Sequence, residues 1–306
     1  MTNFKAFLFG FCAILALGSC SNKTLQLSLQ PDASQSFTYE LTQNVDNTVS
    51  VMGMDQQTAM EQTTTYAYNV KQVNTDGSVD LTMAIQSMRM EQATPMMSMV
   101  FDSEKPEDNN PADMVAGMKN MIGKKFDIKL SKTGEVLDVT AEEGMFKGMF
   151  DGVPNGEMME QQMEAQFGAE TVAGSLRQLT GFYPSTPVKV GDTWTKTSDA
   201  QSVMPVKAET TYTLKERKNG IAVIDFTRKL TSDPNAEPME MMGMEMKYDM
   251  NGTESGTYNV DEKTGWATQV ETKQDMGGKM NMKGGPMGEM SADMKIASKN
   301  IYMRKN

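Results

Sequence analysis

Val79, Leu81, Met83 and Ile85 alternate with polar or small residues, and Met88 and Met90 extend the series. A period of two puts such residues on one face of an extended strand; on a helix they would scatter around the axis. The same alternation appears at Leu25, Leu27 and Leu29, at Phe37, Tyr39 and Leu41, and at Phe126, Ile128 and Leu130. Turn-forming residues separate these runs, among them Pro31 to Ser34, Asn74-Thr75-Asp76-Gly77 and Lys132-Thr133-Gly134. Such a chain folds mainly as antiparallel sheet with one face buried.

Between Glu142 and Leu179 the period changes. Met159, Met163 and Phe167 fall at i, i+4 and i+8, and Val172, Leu176 and Leu179 at i, i+4 and i+7, which predicts two helices broken at Gly168. A shorter helix is expected after Asn110 and Pro111, with Met114, Met118, Met121 and Ile122 as its stripe and Gly123 as its stop. The acidic stretch from Phe101 to Asp113 lacks the Gly and terminal Glu of a calcium loop and reads as a solvated loop.

Beyond Pro184 and Pro187 a second half opens at Val190-Gly191-Asp192-Thr193-Trp194 and echoes the first. Thr63-Thr64-Thr65-Tyr66 matches Glu209-Thr210-Thr211-Tyr212, Lys132-Thr133-Gly134 matches Lys263-Thr264-Gly265, and Phe126 and Ile128 match Tyr258 and Val260. The expected fold is mainly β (α+β): two related antiparallel β-rich units, residues 24–140 and 184–306, joined by a helical connector, residues 141–183.

The N-terminus supplies an address. Lys5 precedes an apolar run from Phe7 to Leu17, and small residues follow, as in a secretory signal. Leu17-Gly18-Ser19-Cys20 resembles the bacterial lipobox, which implies a leader of residues 1–19, lipid on Cys20 and a tether of residues 20–23. With no Asp after Cys20, that resemblance points to the outer membrane, facing the periplasm. Loss of Lys5 with the leader takes the net charge from −11 to −12. An acidic chain with no basic stretch is no partner for nucleic acid, so its membrane contact would be the acyl chains.

The chain has no histidine, which excludes Ser-His-Asp catalysis and histidine-ligated zinc. No phosphate-cradling glycine loop or dinucleotide fingerprint occurs, and no cofactor is implied. The expectation is a binding or scaffold protein, not an enzyme.

Methionine is the compositional anomaly: 32 in the chain, 31 of them after Cys20, against 11 leucines there. Pairs at i, i+2, such as Met244/Met246 and Met280/Met282, share one strand face. Three readings stay open: a sheet face built from methionine, a deformable groove for an apolar ligand or protein partner, and Cu(I) held by thioethers. The candidate ligand-binding residues are Met242, Met244, Met246, Met280 and Met282, covered by Met159 and Met163 of the connector.

Phe101-Asp102-Ser103-Glu104, Ile122-Gly123-Lys124-Lys125-Phe126, Gly134-Glu135-Val136, Val190-Gly191-Asp192-Thr193-Trp194 and Gly252-Thr253-Glu254-Ser255-Gly256-Thr257 read as turns and strand starts. With the lipobox, they resemble a family of uncharacterised lipoproteins from Bacteroidota-type bacteria. That resemblance implies a fold and an address, and no catalytic residues.

Overall fold

The computed structural model describes residues 23–95, 97–110, 118–151, 156–200, 206–233, 235–236, 238–241, 244–285 and 288–305. The leader and lipobox reading, most of the helix expected after Pro111, and Met242 lie outside the described residues.

Among the described residues, the alternating runs other than Leu25 to Leu29 fall in one antiparallel sheet of thirteen strands. In the first half these are β1 (Ser36–Val51), β2 (Met54–Val73), β3 (Val79–Ala93), β4 (Ser98–Asp102), β5 (Lys125–Leu130) and β6 (Val136–Ala141). In the second they are β7 (Thr193–Ala200), β8 (Val206–Lys218), β9 (Ile221–Ser232), β10 (Met239–Met241), β11 (Met244–Asp261), β12 (Ala267–Gly285) and β13 (Gly288–Lys305). Two helices connect the halves: α1 (Gly156–Phe167) and α2 (Ala169–Thr180), with Gly168 between them. The architecture is mainly β.

Both expected units lie in that single sheet. Its order is β6-β5-β3-β2-β1-β13-β12-β11-β9-β8-β7, with β4 beside β3 and β10 beside β11. The first half meanders outward from β1 and the second inward from β7, so β1-β2-β3-β5-β6 and β7-β8-β9-β11-β12 repeat one order. Sequence matching misaligns the repeat by two residues. Register shifts follow Val70 on β2 and Leu214 on β8, and those residues pair with Leu81 and Ile224, which makes Tyr68, not Tyr66, the counterpart of Tyr212. Likewise Ile128 and Leu130, paired with Leu81 and Val79, correspond to Tyr258 and Val260, paired with Ile224 and Ala222. A slip of two preserves the face of every side chain, so the apolar pattern cannot detect it.

Leu25, Leu27 and Leu29 are not a sheet strand as the alternation suggests. They form an extended strap whose alternate side chains are buried, with a single bridge from Leu25 to Val188. Leu29 N–H donates to the Lys132 carbonyl and Gln30 N–H to the Thr264 carbonyl, each at 2.8 Å. The strap thus joins the two Lys-Thr-Gly turns. Those turns make their own close contacts: Tyr183 packs its ring on Gly134 and donates its hydroxyl to the Gly265 carbonyl at 2.7 Å.

The acidic loop after β4 is solvated from Glu104 to Asp108, as expected, but the first acid of the stretch, at the end of β4, is not. Asp102 is buried and accepts hydrogen bonds from Glu104 N–H (2.8 Å), Lys105 N–H (3.0 Å) and Arg89 Nη1 (2.9 Å). Burial raises its pKa, but those hydrogen bonds more than offset this and hold the carboxyl below its ordinary value of 3.8. A depressed folded-state pKa contributes stability above the ordinary value, and that stability is lost as pH falls through the folded one. Asp102→Asn is therefore expected to cost about 1–3 kcal/mol at pH 7. In urea denaturation across pH, its deficit should shrink below pH 3.8, whereas a deficit that persists unchanged would contradict this account.

Candidate functional site

The inner face of the sheet carries two apolar regions. Near the Lys-Thr-Gly turns, the strap, α2 and both halves of the sheet build the main core, from Leu27, Phe37, Tyr39 and Leu81 to Ile224, Tyr258 and Trp266. Toward the opposite ends of the strands lies a smaller cluster of Val206, Ala208, Leu230, Met250, Met276 and Met294.

A polar belt divides them. On β9, Arg228 stands between Phe226 and Leu230, and on β11 Glu254 stands between Met250 and Tyr258. Arg228 pairs with Glu254 at 2.6 Å, donates from Nε to Thr210 at 2.9 Å and lies 5.3 Å from the Phe226 ring centre. Burial works against the arginine charge, but the Glu254 carboxylate, with Tyr258 and Tyr212, outweighs it and raises the pKa. The belt continues through Thr272 to Asn300, whose Nδ2 donates at 3.2 Å. The Asn300 Oδ1 is buried without a hydrogen-bond partner among the described residues. Sequence reading missed this belt. Its signal was a charge or amide in the apolar phase, as Arg228 is between Phe226 and Leu230.

A cavity of about 50 Å³ lies between α2 and the inner face. Tyr39, Tyr66, Tyr68 and Tyr302 make much of its floor; Phe167, Val172 and Leu176 are among the residues roofing it. Burial pushes the Tyr66 hydroxyl up to about 12, keeping it neutral. The roof is fastened at one end. Tyr258 donates to the Gln178 carbonyl (2.6 Å), Thr180 to the Gly134 carbonyl (2.6 Å) and Trp194 Nε1 to the Phe182 carbonyl (2.8 Å). Among the described residues, no hydrogen bond ties α1 or the first two turns of α2 to the sheet. A wider cleft of about 490 Å³ between α1 and residues 141–147 is open and lined by Glu142, Glu157, Glu160 and Glu164. These glutamates set a polar, negatively charged rim beside Met145 and Phe146.

The candidate methionines are not brought together as expected. Met163 packs against the main core and Met159 is half-buried on the same helix. Met246 is buried, and Met280 packs against the smaller cluster beyond the belt. Met244 and Met282 are half-buried farther toward the strand ends. The connector therefore covers tyrosines, not the methionines of the second half. Alternation names the face of a strand but not the distance along it, and the polar belt separates Met163 from Met280. Among the described residues, no group of three acidic side chains is placed to hold a metal ion, and no helix is long and apolar enough to cross a membrane.

No curated protein matches this chain. Among solved structures, lipovitellin superposes with a TM-score of 0.53 at 10% identity, over 90% of this chain and 25% of its own. This chain thus spans about a quarter of lipovitellin's length, and the likeness is one of fold. The translocator domain of the autotransporter NalP from Neisseria meningitidis aligns over 90% of each chain, with 7% identity and a TM-score of 0.24. An outer membrane channel from Pseudomonas putida F1 aligns over 90% of this chain and 97% of its own, with 6% identity and a TM-score of 0.24. Residues 76–267, from the turn before β3 to the first residue of β12 and including both Lys-Thr-Gly turns, match a family model; the chain belongs to the family of unknown function DUF6263.

Proposed function

We propose that this is a lipid-anchored envelope protein, not an enzyme, that binds an apolar ligand of the acyl-chain class between α2 and the tyrosine floor. The observation that carries this is the one-ended attachment of the helical roof over an aromatic-lined cavity. At about 50 Å³ the cavity holds little more than a water-sized group, so a chain enters by lifting the roof about its anchored end at Gln178 to Tyr183. Apolar contacts in the rest of α2 exchange for contacts with the ligand. The fold shared with lipovitellin, whose structure concerns lipid–protein interactions, supports the reading by analogy only.

The lipobox resemblance at Cys20 supports the anchor, on the periplasmic side of the outer membrane. Arg217 Nη1 donates to the Lys23 carbonyl at 2.8 Å, so a lipid on Cys20 would hold the Lys-Thr-Gly end of the sheet near the bilayer. The membrane is then the partner, and no cofactor is required.

The test is lipid retention by the full chain carrying Cys20→Ser, incubated with phosphatidylethanolamine/phosphatidylglycerol vesicles and examined by native mass spectrometry. One bound lipid per molecule is expected. Ser175→Leu, which fills the cavity from α2, should reduce retention at least tenfold without loss of secondary structure. Protein that stays ligand-free, or Ser175→Leu protein that retains lipid unchanged, refutes the site.

A further inference from the structure

The sheet register sets Met246 on β11 opposite Met282 on β12, and Met282 opposite Met290 on β13. All three fall in the inward phase of their strands: Met246 is buried, and Met282 and Met290 are half-buried. Directly opposed residues on one face have Cβ atoms about 4.5–5.5 Å apart, and a methionine side chain spans more than half that gap. That length allows the sulfurs of Met246 and Met290 to reach the space above Met282. Met280, two residues along the same face, offers a fourth thioether beside them.

Packing alone accounts poorly for this row. At the level of the smaller cluster, β8 and β9 use Val206, Ala208 and Leu230, whereas the inner face of β11 to β13 carries seven methionines from Met246 to Met294, beside Tyr248, Ala292 and Ile296. The row lies beyond that cluster, where two of its three members are half exposed and gain only part of the burial that a core position gives. What methionine supplies there and leucine does not is a soft, uncharged sulfur.

We propose that Met246, Met282 and Met290 form a binding site for a soft monovalent cation, Cu(I) or Ag(I). Thioethers select such ions over calcium, magnesium or zinc, which take oxygen, nitrogen or thiolate ligands. Half exposure at the strand ends gives the ion a path from solvent. The site lies across the polar belt from the tyrosine cavity and is independent of what that cavity binds.

The experiment titrates Ag(I), and Cu(I) against a competing chelator, into the full chain carrying Cys12→Ser and Cys20→Ser, so that no thiol contributes. The expected result is one equivalent bound with Kd below about 1 μM. Met282→Leu conserves volume and should preserve the fold by circular dichroism while weakening binding at least tenfold. Met88→Leu, in the main core, should leave binding unchanged. Affinity weaker than micromolar, binding unaffected by Met282→Leu, or equal loss in Met88→Leu overturns the proposal.

Discussion

Gly134→Ala should destabilise the protein by about 2–5 kcal/mol, toward the upper end of the range, and Gly265→Ala by a similar amount. Both glycines have φ in the left-handed region, +74° and +77°. A Cβ on Gly134 would stand 2.0 Å from the Thr180 carbonyl and 2.4 Å from the Tyr183 ring; on Gly265 it would stand 2.1 Å from the Ser28 carbonyl. Left-handed strain accounts for about 1–2 kcal/mol of this, and displacing backbone that cannot swing aside for the rest. Gly220→Ala separates the two contributions, because Gly220 has φ +78° with nothing within 4 Å of the added carbon. It should cost only the strain, about 1–2 kcal/mol. Urea denaturation of the three variants is the check, and equal losses in all three would mean that the turns are not jammed against strap and connector.

Arg228→Met should cost about 3–5 kcal/mol, because it leaves the Glu254 carboxylate buried without its partner. The glutamate side chain is only 3% exposed and the arginine 10%, so water can replace neither. The double variant Arg228→Met/Glu254→Leu should recover most or all of that loss. It replaces two desolvated charges by apolar groups between clusters that already pack against methionine and leucine. A double-mutant cycle reads the coupling directly. Additive losses would show that the two side chains act independently.

Alternation in the sequence gave away most of the strands, and the periods on either side of Gly168 gave away both helices. It could not give away neighbours. Leu25, Leu27 and Leu29 alternate because the strap is extended and one side of it is buried, which requires no adjacent strand. Met163 and Met246 are both inward-facing and were expected in contact, yet they lie on opposite sides of the polar belt. The tyrosines of the cavity were visible as apolar-phase residues but not as a group, since β1, β2 and β13 bring Tyr39, Tyr66 and Tyr302 together from distant parts of the chain.

The position of β13 has a consequence for how the chain is assembled. The last strand of the sheet in chain order is not at an edge; it lies between β1 and β12, with Thr38 paired to Lys305 and Gln269 to Met303. Until it arrives, two incomplete meanders exist, each with a long open edge presenting unpaired N–H and C=O groups at β1 and β12. Closing the gap joins residues more than 240 positions apart, a large loop-closure demand that slows assembly. During synthesis or export from the N-terminus, both halves would wait with their central edges exposed, vulnerable to pairing with a second chain. β13 would then act as a zip between them, making the seam of the finished sheet the final step of its formation.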